Sequence, residues 1–137
     1  EPIIVVIDEA HNICPQEPTD SNQALATEHV VRIAGEGRKF GLYLLLSTQR
    51  PSKVHENVIS QCDNLLLMKM NSAADLRSLS ETFSYVPSGL IELASGFQLG
   101  EGLAAGKIAP DPILFKSGRR LTLEGGSDIS SSWARAR

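Results

Sequence analysis

The chain is short of several features that would narrow its class. It has two cysteines, Cys14 and Cys62, far apart and in no CxxC or Cys/His spacing. That excludes a disulfide scaffold and a zinc site, and a reducing, cytoplasmic setting is expected. Long hydrophobic runs are missing too. Stretches such as 42–46 and 65–68 fall far short of the roughly 18 apolar residues that span a bilayer, and no signal peptide precedes them. No membrane partner is expected. There is no excess of positive charge: the formal net charge is -3, so any nucleic-acid contact must come from a local patch or from outside this chain. No repeat is visible. There is no initiator Met and the first residues already read as a strand, so a segment of a longer protein is expected.

What is present is an ordinary globular balance. The chain has 137 residues, 42% hydrophobic and 21% charged, enough for one domain or a piece of a larger one. Ile3 to Ile7 is a continuous β-branched run, which predicts a strand buried on both faces of a parallel sheet. Thr19, Asp20 and Ser21 are capping candidates for a helix over 22–38, with Leu25, His29, Val30 and Ile33 near one face. LYLLLSTQRP reads as a second buried strand, which ends at Ser47, Thr48 and Gln49 and cannot continue past Pro51. A short helix follows in SKVHENVISQC, then a third strand in NLLLMKM. SAADLRSLSETF is a helix capped by Ser72, with Leu76, Leu79 and Phe83 on one side, and PSGLIELA is a shorter one.

This alternation predicts an α/β fold with a mostly parallel sheet flanked by helices. After Gly96 the pattern changes. FQLGEGLAAGKI reads as two strands about a Gly-Glu-Gly turn and PILFKS as one more, together an antiparallel C-terminal edge. The domain is expected over 1–124, with 125–137 a flexible Gly/Ser-rich tail.

The functional question is why a buried strand should end in two adjacent acids, Asp8 and Glu9. In a parallel α/β sheet, ligands bind at the carboxyl ends of the strands. Two carboxylates there can divide labour, one binding Mg²⁺ directly or through water and the other polarising an attacking water. That is the chemistry of a Walker B strand. The plainer reading has Asp8 capping a turn and Glu9 solvated. If the second strand neighbours the first, Gln49 arrives at the same edge, where its amide can serve both a γ-phosphate oxygen and the lytic water. The helix over 22–38 descends about 25 Å from that edge, so Arg38 cannot easily reach its own nucleotide. In a ring it could face a neighbour's γ-phosphate; otherwise it is a cation suited to a helix C-terminus. Arg32, Lys39 and Arg50 are weaker candidates for that task. His11 is read as a loop residue packing on the next helix, and Asp75, Arg77 and Glu81 as solvated helix surface. Lys107, Lys116, Arg119 and Arg120 form at most a weak phosphate-binding footprint.

In order, IIVVIDEAHN, IAGEGRKFGLYLLLSTQRPSKV and ISQCDNLLLMKMNSAADLRSL resemble the second half of the motor domain of HerA/FtsK-type hexameric DNA-pumping ATPases, the HerA branch in particular. The resemblance continues through GFQLGEGLAAGKIAPDPILFKS and LEGGSDI, nearly to the end of the chain. It implies a RecA-like P-loop core and an ATP-driven translocase or helicase acting on double-stranded DNA as a hexameric ring, with a nuclease or other effector as partner. Residue by residue, it implies Asp8 for Mg²⁺, Glu9 as catalytic base, Gln49 as sensor, Thr48 beside the nucleotide and Arg38 as arginine finger. The chain departs from a complete motor in one respect: it contains no GxxxxGK(S/T), so the loop that cradles phosphates is expected before Glu1 and the chain alone is expected to be inactive. Two rivals remain at this stage. A DEAH-box helicase lobe would carry an S-A-T-type motif where this chain has STQRP, and a non-catalytic assembly or docking module would have a corrupted phosphate loop upstream.

Overall fold

The computed structural model of the chain describes residues 1–119 and 121–122. Arg120, the whole of the segment LEGGSDI and the expected tail 125–137 lie outside the described residues.

Strand β1 (Ile3–Ile7) pairs in parallel with β2 (Leu42–Leu46), in register from Ile3↔Leu42 to Ile7↔Leu46. The crossover between them holds a short helix α1 (Ala10–Ile13) and the long helix α2 (Ser21–Glu36). Of the three capping candidates, Asp20 does the work: its carboxylate accepts from the amides of Asn22 and Gln23 at 2.9 Å each. A 3-10 turn over Gly37–Phe40 closes on Gly41, whose φ of 73° suits glycine, and the chain enters β2.

A turn of α3 (Glu56–Ile59) leads to β3 (Asn64–Leu67), then α4 (Ala73–Thr82) and α5 (Ser88–Glu92), and the chain closes with β4 (Glu101–Gly106) and β5 (Ile113–Lys116). Ser72 caps α4 as expected, its hydroxyl accepting from the Asp75 amide at 3.3 Å. Leu76, Leu79 and Phe83 are all buried.

Four expectations need correction. The third strand does not pair with the parallel strands; β3 is antiparallel to β4, in a separate sheet ordered β3-β4-β5. FQLGEGLAAGKI supplies one strand instead of two, because residues 98–101 form a turn closed by the Glu101 amide on the Gln98 carbonyl at 3.0 Å and by the Gln98 amide on the Glu101 carboxylate at 2.8 Å. On α2, Val30 is buried as expected, but Leu25 and His29 are exposed and Thr27 is buried. Thr27 tolerates burial because its hydroxyl donates to the Gln23 carbonyl at 2.8 Å. Finally, among the described residues β1 and β2 are covered on one face only. Ile7, Leu44 and Leu46 pack with Ala10, Cys14, Val30, Val54 and Val58 in a small core. On the other face Ile4, Val6, Tyr43 and Leu45 stand exposed, since α1, α2 and α3 all pack on the first side. The larger core lies around β3, β4, α4 and α5, with Ile91 and Leu103 at 0% exposure.

Candidate active site

The parallel ladder runs one step past the strands. Ser47 donates its amide to the Ile7 carbonyl and Ala10 its amide to the Ser47 carbonyl, both at 2.9 Å. Asp8 and Glu9 are thereby brought beside Ser47, Thr48 and Gln49 at one sheet edge, as the sequence predicts. Glu9 is the one non-glycine residue with positive φ among the described residues, at 48°. That backbone costs an L-residue on the order of 1–2 kcal/mol and turns the chain sharply from β1 into α1. The Glu9 amide also donates to Asp8 Oδ1 at 3.0 Å, which fixes the pair relative to each other.

The side chains then meet across the strands. Gln49 Nε2 donates to Glu9 Oε1 at 3.0 Å. His11 Nδ1 lies 2.9 Å from Thr48 Oγ1 and 3.3 Å from Glu9 Oε2. Thr48 Oγ1 also accepts the Arg50 amide at 3.0 Å. Glu9 Oε2 is buried and has no hydrogen-bond partner among the described residues, His11 Nδ1 standing near it without bonding geometry. A carboxylate with one oxygen held by an amide and the other left as a spare acceptor is equipped to take a proton. Asp8 is exposed and contributes a single carboxylate, of which Oδ1 holds the Glu9 amide. Among the described residues no three His, Cys, Asp or Glu side chains gather into a metal cage. One carboxylate suits Mg²⁺, which keeps several of its waters, and suits no ion that needs an all-protein shell.

Arg38 does not join this cluster. The Ile3 amide donates to the Gly41 carbonyl at 2.9 Å, so the 3-10 turn bearing Arg38 sits at the opposite end of β1 and β2. That end is about 15 Å away along the strands. Arg38 is exposed and makes no ion pair among the described residues. Of the other cations, Arg32 pairs with Glu28 at 2.8 Å, Lys107 with Asp63 at 2.8 Å and Lys116 with Glu101 at 3.3 Å. Two of the four residues of the suggested phosphate footprint, Lys107 and Lys116, are thus engaged within the chain. Both thiols are raised above their usual range by burial, which leaves them poor nucleophiles.

Two residues that the sequence reading set aside belong near the site. His11 is one, through Thr48 and Glu9. Asp75 is the other: it is 7% exposed and accepts the Ser52 amide at 3.0 Å, in the loop that follows Gln49. Burial pushes its carboxyl up, but hydrogen bonds from Ser52 and Ser72 and the nearby Arg50 outweigh this and hold it below the usual carboxylate range. The Ser-x-x-Asp spacing of Ser72 and Asp75 was the available signal, since it marks a helix start where an acid has structural work to do.

No family model matches the chain. It is 34% identical to a protein named DNA double-strand break repair helicase HerA from Sulfurisphaera tokodaii, over 99% of this chain and 27% of that protein. It is 35% identical to the protein of the same name from Saccharolobus solfataricus, over 84% of this chain and 22% of that protein. The chain therefore spans about a quarter of the length of these relatives. Among solved structures it resembles the genome packaging NTPase of Sulfolobus turreted icosahedral virus 2 in complex with AMPPCP, with a TM-score of 0.65 and 20% identity over 85% of this chain and 53% of that one. The same NTPase in complex with ATP-gammaS gives a TM-score of 0.64. These likenesses show the fold, that of the P-loop ATPases.

Proposed function

We propose, taking as premise a chain with HerA helicases as its sequence relatives and the fold of the P-loop ATPases, that it supplies the hydrolytic half of an ATP-driven DNA motor. The observation that carries this reading is the pairing of Glu9 with Gln49 at the carboxyl ends of two parallel strands, with Glu9 Oε2 left unpartnered.

In this reading Glu9 accepts a proton from the attacking water, and Gln49, now holding Glu9, turns its amide to the water and the terminal phosphate. Asp8 holds Mg²⁺, which would neutralise charge on the phosphate oxygens. Thr48 lies beside the nucleotide, its position set by His11 and the Arg50 amide. Arg38, remote from these groups, acts on the site of a neighbouring subunit in a ring. Double-stranded DNA is the track, and a nuclease or other effector is the partner. The phosphate-holding loop comes from another part of the intact protein. Two features support this: the chain has no such loop, and both β2 and β3 keep one edge without a strand partner among the described residues.

The test is Glu9→Gln in the intact protein. Shape and hydrogen bonding survive while the base is lost, so Mg²⁺-dependent ATP binding should persist and turnover should fall by a factor of about 10² or more. Hydrolysis at the wild-type rate would overturn the assignment.

A further inference from the structure

Asp75 sits at the third position of α4, where the helix dipole favours an acid and the usual partner is the helix's own cap. Here the carboxylate also reaches out of the helix. Its Oδ1 takes the amide of Ser52, which is 23 positions away in sequence. Ser52 lies three residues after Gln49, and the buried Pro51 and the 3-10 turn Pro51–Lys53 make the intervening backbone stiff. The far end of the same loop is already secured, by a bridge between Pro15 and Val54 and by the Gln16 amide on the Lys53 carbonyl at 2.9 Å. The end near Gln49 has the Ser52 to Asp75 bond. Asp75 also joins two cores, since α4 packs into the larger one through Leu76 and Leu79 while Val54 belongs to the smaller.

We propose that Asp75 is a positioning residue for Gln49: its buried carboxylate anchors the loop after β2 to α4 and so fixes where the Gln49 amide stands relative to Glu9. The inference rests on the hydrolytic role assigned to Gln49. A cap alone would explain the bond to Ser72, but it leaves the bond to Ser52 without a purpose.

The experiment uses the intact protein and two readouts. In steady-state ATP hydrolysis, Asp75→Ala should lower kcat about tenfold with KM for ATP changed less than about twofold, and Asp75→Asn, which keeps an acceptor oxygen, should restore part of the loss. In a Gln49→Ala background the same Asp75→Ala change should cost less than about twofold, because its effect runs through Gln49. An equal loss in both backgrounds, or no loss at all, would overturn the proposal. Should Asp75→Ala fail to fold, Asp75→Asn takes its place, since it keeps the shape of the side chain but weakens the charge-assisted bond from the Ser52 amide, and a smaller loss must again vanish in the Gln49→Ala background. Amide hydrogen exchange separates this claim from the functional reading. The Ser52 amide should exchange at least tenfold faster in Asp75→Ala, with the β4 amides unchanged. A wild-type protein that hydrolyses no ATP defeats the ATPase reading and the role in hydrolysis together. An unchanged Ser52 amide in an active enzyme defeats the anchor alone.

Discussion

The two sheets of this chain differ in what they bury and what they carry. Among the described residues the sheet β3-β4-β5 rests on a core of eleven buried residues, and all four central positions of β4, from Gly102 to Ala105, are buried. The sheet β1-β2 has, among the described residues, five buried ones beneath one face and exposed Ile4, Val6, Tyr43 and Leu45 on the other. Yet it is β1 and β2 that present Asp8, Glu9, Thr48 and Gln49 at one end and Arg38 at the other. Burial is concentrated in one block and the proposed chemistry in the other. Changes in the first sheet's ends should therefore cost activity without stability, and changes in the second sheet's core the reverse.

Arg38 gives the largest expected effect. In the intact protein Arg38→Ala should leave assembly and ATP binding in place, as the side chain is exposed and unpaired among the described residues. Hydrolysis should fall on the order of 10³-fold or more, as for arginine fingers. Mixing tests the trans geometry: subunits with Glu9→Gln and subunits with Arg38→Ala should regain activity together that neither has alone. Mixed rings with no recovered activity would mean that Arg38 serves its own subunit or only its helix end.

Leu103 tests the other side of the comparison. Leu103→Ala should destabilise the intact protein by about 2–5 kcal/mol in chemical denaturation, with KM for ATP unchanged. Val6→Ser, on the open face, sharpens the contrast. If the intact protein covers that face, the change costs about 2 kcal/mol. A cost near zero would show the asymmetry to be a property of the whole molecule.

Much of the first sheet was legible in the sequence, because its signals are local. A β-branched run ending in Asp8 and Glu9, and an apolar run ending in Gln49 and stopped by Pro51, fix both the strands and the edge they share. The helical period of Leu76, Leu79 and Phe83 behind the Ser72 cap was equally clear. What escaped is long-range. Asp75 looks solvated until Ser52 is brought to it from 23 positions away, and His11 looks incidental until Thr48 arrives from 37. The expected burial of β1 on both faces failed for a related reason, since the run of apolar residues records a cover that no described residue provides. The single strand where a hairpin was expected follows from the Gln98–Glu101 turn, whose bonds composition does not reveal.

Asp75 lies at the junction of the two blocks and should impose a pH dependence on their union. Its folded pKa is depressed, first against the opposing push of burial, by Ser52, Ser72 and Arg50. The stability it contributes is present above the unfolded carboxylate value of about 4 and is lost as pH falls through the lower folded value. The gap in denaturation midpoint between wild type and Asp75→Asn should therefore be constant from neutral pH down to about 5 and close below about 4. A gap independent of pH would place the effect in packing and not in the charge.

The smallest expected effect falls on Arg32, and it decides which cation of the first block matters. Arg32 and Glu28 form an i,i+4 pair on α2 with the acid N-terminal, the favourable order, and both side chains are more than 60% exposed. Such a pair stabilises a helix by about 0.3–0.5 kcal/mol, and less at high salt. Arg32→Ala should shift stability by no more than that, with the loss absent in a Glu28→Ala background. Hydrolysis should stay within about twofold of wild type, since a guanidinium already engaged on its own helix has no phosphate to answer to. A loss approaching that of Arg38→Ala would move the trans-acting role from the turn at the foot of β2 to the middle of α2. The separation of chemistry to the two ends of the first sheet would then no longer hold.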